Sequence, residues 1–119
     1  MTQQKTKRPT RIKFADAKLL EAYFKLKAGR AEELKLYQSI EGAIKEIEAD
    51  PLSGIKIPRQ VWPKKYIREY NIRNLWKHNL SDAWRLIYTL EGTEVEIVAI
   101  ILEWFPHKEY EKHFKYKVG

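Results

Sequence analysis

The sequence predicts an α+β fold in which an N-terminal helical hairpin packs on a mainly antiparallel, twisted sheet. Two observations carry this prediction. Apolar residues recur at every third or fourth position between residues 16 and 49, which is typical of amphipathic helices. Between residues 75 and 104, β-branched and aromatic runs are separated by turn-forming residues, as in strands joined by short turns. The expected order is β-α-α-β-β-β, followed by a short C-terminal helix.

The first half of the chain supplies one strand and two helices. Residues 11–14 alternate between polar and apolar and are expected to form the first strand. Asp16 can cap a helix that Gly29 ends. A second helix is expected over residues 31–49, where apolar residues recur at helical spacing, and Pro51 marks its end. The tight connection predicts an antiparallel hairpin whose apolar faces pack against the sheet.

Residues 51–74 form the least regular stretch, because proline and glycine interrupt it. Lysine and arginine are interleaved there with aromatic residues, a combination that suits phosphate neutralisation and base stacking. For Trp62 and Tyr66 individually we favour the alternative, in which the rings pack beneath a surface loop. For the cations we favour RNA binding, and the predicted contacts are Lys64, Lys65 and Arg68.

Composition limits the functions open to the chain. At 119 residues and 44% hydrophobic content, one domain is expected over residues 11–119, after a flexible basic segment at residues 1–10. The chain has no cysteine, which excludes disulfides, Cys-ligated zinc and thiol catalysis. No apolar run approaches the roughly 18 residues of a membrane span, and the N-terminus lacks an apolar signal core. We therefore expect a cytoplasmic protein with no membrane partner.

The net charge of +7 is unevenly distributed. Residues 56–85 carry eight lysines and arginines against two acidic residues. Such a cationic segment favours nucleic acid or an acidic protein as a partner, and on charge alone it is equally consistent with a solubilising surface.

The strand expected at residues 83–90 contains an arginine. Alternation places Arg85 on the face opposite Trp84. Because arginine is rarely buried without a partner, Arg85 either pairs with a carboxylate, Asp82 or Glu103, or has a functional role.

Further polar side chains are expected near Arg85. His107 follows the last strand, Tyr110 lies one helical turn later with Lys108 between them, and Lys77 lies on the adjacent strand. No metal-ligand spacing accompanies them, so we expect neither a metal nor another cofactor. These residue types suit RNA cleavage by the ribose 2′-hydroxyl, in which a base takes the proton and cations stabilise the charge on phosphorus. The alternatives are that His107 caps a helix and Tyr110 is a core residue.

Four segments together resemble the RelE/ParE toxin superfamily of type II toxin–antitoxin systems, in particular a RelE-like branch frequent in archaea and thermophiles. They are residues 50–54, 74–80, 83–88 and 107–116. The resemblance implies a RelE-like fold and a metal-independent endoribonuclease that cuts mRNA, usually on the ribosome. It also implies a cognate antitoxin that wraps and inhibits the toxin.

The resemblance also implies roles for individual residues. Arg85 matches the phosphate-binding arginine of the middle strand, and His107 and Tyr110 lie where family members place an acid or base. The remaining predicted RNA contacts are Lys77, His78, Lys108 and Tyr116.

The chain departs from the family pattern at the end of its last strand. Many active members carry another arginine there, where this chain has Glu103, so we expect slow cleavage. The neighbouring Trp104 and Phe105 are predicted contacts of a small acidic antitoxin. Two alternatives stay open: a ParE-like toxin that binds gyrase without cutting RNA, and an inactive binding module on the same fold.

Overall fold

The computed structural model describes residues 8–114 and has an α+β fold built on one five-stranded mixed sheet. The strands are β1 (Thr10–Phe14), β2 (Ile55–Lys56), β3 (Trp76–Asn79), β4 (Trp84–Gly92) and β5 (Ile97–Pro106). The helices are α1 (Ala17–Lys27), α2 (Ala31–Ala49), α3 (Lys64–Tyr70) and α4 (His107–Phe114). The strand order is β1-β5-β4-β3-β2, with β1 parallel to β5 and all other neighbours antiparallel. The α+β prediction is confirmed.

The α1–α2 hairpin covers one face of the sheet, which we call the hairpin face. Asp16 caps α1 as predicted, since its Oδ1 accepts a hydrogen bond from the Leu19 N–H at 2.8 Å. The apolar stripe of α2 buries Ile40 and Ile47 completely, and both belong to the core cluster that contains Leu86 of β4. Burial of these side chains is what holds the hairpin against the sheet.

The stretch predicted to be irregular contains more regular structure than expected. The short strand β2 adds a fifth strand beside β3, and the seven-residue helix α3 follows Pro63. Asn71 ends α3 in the left-handed conformation, with φ of 51°. The predicted element order is therefore wrong by one strand and one helix. Both elements are too short to produce a clear hydrophobic period in the sequence.

Helices α3 and α4 cover the other side of the sheet, which we call the opposite face. Trp62 and Tyr66 are 8% and 1% exposed within this second core, as the packing interpretation predicts. The Trp62 indole N–H donates to the Ile57 carbonyl oxygen at 2.9 Å. Base stacking on either ring is excluded by their burial.

The turn between β4 and β5 lies later than predicted. The strand expected at residues 83–90 continues through Gly92, and the turn lies at Thr93–Glu96. The Thr93 N–H donates to the Glu96 carbonyl oxygen at 2.9 Å. Thr93 Oγ1 also accepts hydrogen bonds from the backbone N–H groups of Val95 and Glu96. The threonine side chain thus fixes the position of the turn.

The basic N-terminal segment is described only in part, since residues 1–7 lie outside the described residues. Arg8 Nη1 donates to the Thr93 carbonyl oxygen at 2.7 Å. The Pro9 carbonyl oxygen accepts a hydrogen bond from the Ile97 N–H at 2.9 Å. Residues 8–10, which the prediction places in the flexible segment, are therefore bonded to the β4–β5 hairpin.

A β-bulge in β5 changes which residues face each side of the sheet. Ile87 pairs with Glu103 and Tyr88 pairs with Ile101, so Leu102 is the extra residue. Alternation is interrupted there. As a result, Leu102 and Glu103 both lie toward the opposite face.

The bulge brings Glu103 to helix α3. The Tyr66 hydroxyl donates a hydrogen bond to Glu103 Oε2, and Lys65 Nζ lies 3.1 Å from the same oxygen. Burial of Tyr66 and the adjacent Glu103 carboxylate raise the pKa of the phenol well above its ordinary value. The phenol therefore remains a hydrogen-bond donor at neutral pH.

We expect Tyr66→Phe to lower the free energy of unfolding by about 1–3 kcal/mol, because the partly buried Glu103 carboxylate loses its donor. Chemical denaturation monitored by circular dichroism measures the change. Tyr70→Phe, on the same helix, is the control and should cost less. Equal stability of Tyr66→Phe and the unmodified chain would contradict this role for the hydrogen bond.

Candidate active site

The antiparallel β4–β5 pair brings Arg85 and His107 together. Arg85 lies near the start of β4 and is paired with Phe105 near the end of β5. Helix α4 begins immediately after β5, so its first residue lies at the same end of the sheet. Arg85 Nη2 is 3.1 Å from His107 Nδ1. We call these two residues, together with Lys77, Tyr110 and Glu111, the Arg85 cluster.

The Arg85 guanidinium contacts a backbone carbonyl and a histidine ring, and no carboxylate among the described residues. Its Nη1 donates to the Trp84 carbonyl oxygen at 3.2 Å, and its Nε is buried with no hydrogen-bond partner among the described residues. Asp82 pairs instead with Lys35 at 3.0 Å, and Glu103 is bound by α3. Within residues 8–114, neither carboxylate that the sequence offers pairs with Arg85. A guanidinium in this situation is suited to binding an anion.

Lys77 adds a second positive charge above an aromatic ring. Its Nζ lies 4.5 Å from the ring centroid of Tyr110, which is 2% exposed. This burial fits the alternative, in which Tyr110 is a core residue, better than the predicted catalytic role. Partial burial and, secondarily, the charge of Arg85 lower the pKa of Lys77 below its ordinary value. An anion that binds beside both cations relieves this repulsion.

His107 is accessible to solvent, with 44% of its side chain exposed. Its Nε2 lies 3.1 Å from Glu111 Oε2, one helical turn along α4. Its ring stacks on Tyr110, with centroids 6.3 Å apart. Sequence reasoning missed Glu111, although the spacing of four residues from His107 is the signal that would have identified it.

His78, a predicted RNA contact, lies away from the Arg85 cluster. It pairs with Leu86, so its side chain is on the hairpin face. There its Nε2 is 2.9 Å from Glu46 Oε1 on α2. The alternation of β3 therefore separates His78 from Lys77, its neighbour in sequence.

The other predicted RNA contacts lie on α3 and α4. Lys64 and Arg68 are exposed on α3, and Lys108 is exposed on α4. Lys64 also lines, with Lys112, a cavity of about 520 Å³ between the two helices. Tyr116 lies outside the described residues.

The two residues predicted to contact an antitoxin differ in accessibility. Phe105 is 6% exposed within the second core. Trp104 and Trp84 line a groove of about 430 Å³ on the hairpin face, next to Asp82. The groove also has carboxylates of α2 in its wall, Glu32 and Glu33. This surface is apolar at its base and acidic at its rim.

The described residues show no metal site and no membrane-spanning helix, and the chain matches no family model. Among the side chains that the structure describes, which do not include that of His113, no three His, Asp or Glu are grouped so that they could hold a metal ion. No described helix combines the length and apolar composition that crossing a membrane requires. Comparison with protein-family models, curated proteins and solved structures yields no match. Membership of the RelE/ParE superfamily therefore stays a prediction.

We expect Arg85→Met to raise the pKa of Lys77, because it removes the neighbouring positive charge while keeping the space filled. The pKa is measured by following the Lys77 ε-carbon in an NMR pH titration. Arg68→Met, which removes a cation outside the Arg85 cluster, should leave the titration unchanged. An identical Lys77 titration in Arg85→Met and the unmodified chain would show that the two charges do not interact.

Proposed function

We propose that this chain is a RelE-like toxin of a type II toxin–antitoxin system and a metal-independent endoribonuclease that acts on mRNA in the cytoplasm, in association with the ribosome. The observation that carries the proposal is the 3.1 Å contact between Arg85 and His107 beside Lys77. The proposal includes the RelE-like assignment of the α+β fold.

The residues of the Arg85 cluster match the needs of RNA cleavage. The 2′-hydroxyl attacks the adjacent phosphorus, and the bond from phosphorus to the 5′-oxygen breaks. Arg85 stabilises the negative charge that builds up on the phosphoryl oxygens, and Lys77 adds a point charge. His107 takes the 2′-hydroxyl proton as a general base. The products are a 2′,3′-cyclic phosphate and a free 5′-hydroxyl.

The cations on α3 and α4 support RNA as the substrate. Lys64 and Lys112 line one cavity, and Lys108 follows His107 directly. These side chains add positive charge on α3 and α4, the two helices on the same face of the sheet as Arg85. A strand of RNA whose scissile phosphate lies at Arg85 has further cations available for its neighbouring phosphates.

The charge distribution also bears on the antitoxin. The groove beside Trp104 has an acidic rim, which repels an acidic segment. The Arg85 cluster attracts one and would be blocked by it. We therefore propose that the acidic antitoxin inhibits the toxin by covering the Arg85 cluster.

One observation favours a non-catalytic function as the second candidate. Both ring nitrogens of His107 already have partners, Arg85 and Glu111, and Tyr110 is buried. Glu103 is held by α3, where many family members carry an arginine. A ParE-like gyrase-binding toxin or an inactive binding module is compatible with this arrangement.

We expect Arg85→Ala and His107→Asn each to slow cleavage of ribosome-bound mRNA by about 100- to 1,000-fold, because each removes a group that acts in the transition state. Primer extension on mRNA from translating ribosomes measures the rate. Growth arrest on expression of the chain should disappear in both variants.

His78→Asn is the matched control, because it makes the same substitution on the hairpin face and should cleave at the unmodified rate. Circular dichroism should show that all three variants fold. Cleavage at the unmodified rate by both Arg85→Ala and His107→Asn would place the site elsewhere. Growth arrest with DNA damage signalling and intact mRNA would favour the gyrase-binding alternative.

A further inference from the structure

The contacts of His107 define which ring nitrogen carries the proton. A guanidinium has hydrogen-bond donors and no acceptor. Because Arg85 Nη2 lies 3.1 Å from His107 Nδ1, that nitrogen must accept and is unprotonated. In the neutral ring the proton is then on Nε2, which donates to Glu111 Oε2 at 3.1 Å. The chain of donors runs from Arg85 through His107 to Glu111.

We infer that Glu111 is a positioning residue that holds His107 with Nδ1 directed at the bound phosphate, so that Nδ1 and not Nε2 exchanges the proton with RNA. This inference rests on the proposed function for its catalytic meaning. The carboxylate of Glu111 accepts from Nε2–H, which reinforces the tautomer that the Arg85 contact selects and fixes the orientation of the ring. A carboxylate that orients a catalytic imidazole acts in the same way in hydrolytic triads.

The geometry places the phosphate-binding group and the proton acceptor on the same side of the ring. When Arg85 turns its Nη2–H to a phosphate oxygen, it releases the lone pair of Nδ1 next to that phosphate. The 2′-hydroxyl proton passes to Nδ1 as the 2′-oxygen bonds to phosphorus. The leaving 5′-oxygen takes a proton from water, and the imidazolium later returns its own proton to water.

The surroundings of the ring determine how stable the imidazolium is. Glu111 on α4 faces Nε2 and stabilises the positive ring, whereas Arg85 on β4, 3.1 Å from Nδ1, opposes it. Lys77 on β3 interacts with Arg85, and Tyr110 packs against the ring face. Glu111 is thus the carboxylate that the described contacts place against His107, and its removal leaves the protonated ring beside the Arg85 guanidinium.

Long-range ¹H–¹⁵N NMR of the full chain tests the tautomer without any RNA. The chain has three histidines, so His107→Asn assigns the His107 signals. We expect the unmodified chain to show Nε2 protonated and Nδ1 unprotonated when the ring is neutral. In Glu111→Ala the Nε2–H loses its acceptor and Arg85 alone holds the tautomer, so the two nitrogen shifts should move part of the way toward each other. A ring protonated on Nδ1 in the unmodified chain would overturn the inference.

The cleavage assay tests the positioning role. Glu111→Ala should slow mRNA cleavage at least about 10-fold, while Glu111→Gln, whose amide oxygen still accepts from Nε2–H, should restore most of the rate and the tautomer. Glu48→Gln, an exposed carboxylate on α2, should change neither. A Glu111→Ala variant with unchanged tautomer and rate would refute the role. If the tautomer is as expected but neither the unmodified chain nor any variant cuts RNA, the contact of Glu111 with His107 stands and the proposed nuclease function is refuted.

Discussion

One extra residue in β5 determines the arrangement of the whole opposite face. Because Leu102 is bulged, the alternation of β5 shifts by one residue before the strand ends. Glu103 therefore reaches α3, and Phe105 enters the second core on the same side as Arg85. Without the bulge, Phe105 would point toward the α1–α2 hairpin. Helix α4 would then leave the sheet in a different direction, and His107 would not meet Arg85.

The Arg85 cluster combines close aromatic packing with repulsion between two positive charges. Tyr110 stacks on Phe114 with ring centroids 4.5 Å apart, and both rings are almost completely buried, so the base of the site is rigid. Above it, Lys77 and Arg85 are like charges close enough to lower the pKa of the lysine. Such repulsion costs stability in the free protein and is relieved when an anion binds. This behaviour is expected of an anion-binding site, which is what the proposed function requires.

The sequence predicts the elements with strong periodicity and misses those that depend on individual contacts. The stripe of α2 and the alternation around Arg85 suffice to predict that the α1–α2 hairpin packs on the sheet and that Arg85 lies near His107. The sequence does not predict α3, because seven residues make only about two helical turns. It does not predict the bulge at Leu102 either, because no local residue pattern requires it. The contact with Glu111 could have been predicted, because a helix is expected there and Glu111 lies four residues after His107.

The chemical form of the RNA ends tests the central claim most directly. RNA that is cut by 2′-hydroxyl attack at the Arg85 cluster carries a 2′,3′-cyclic phosphate on one fragment and a 5′-hydroxyl on the other. The account predicts that mass spectrometry will detect these ends. A 2′-deoxy substitution at the cut site should abolish cleavage. EDTA should not diminish cleavage at concentrations that leave the ribosomes assembled. A 5′-phosphate end, or cleavage of the 2′-deoxy substrate, would contradict the account.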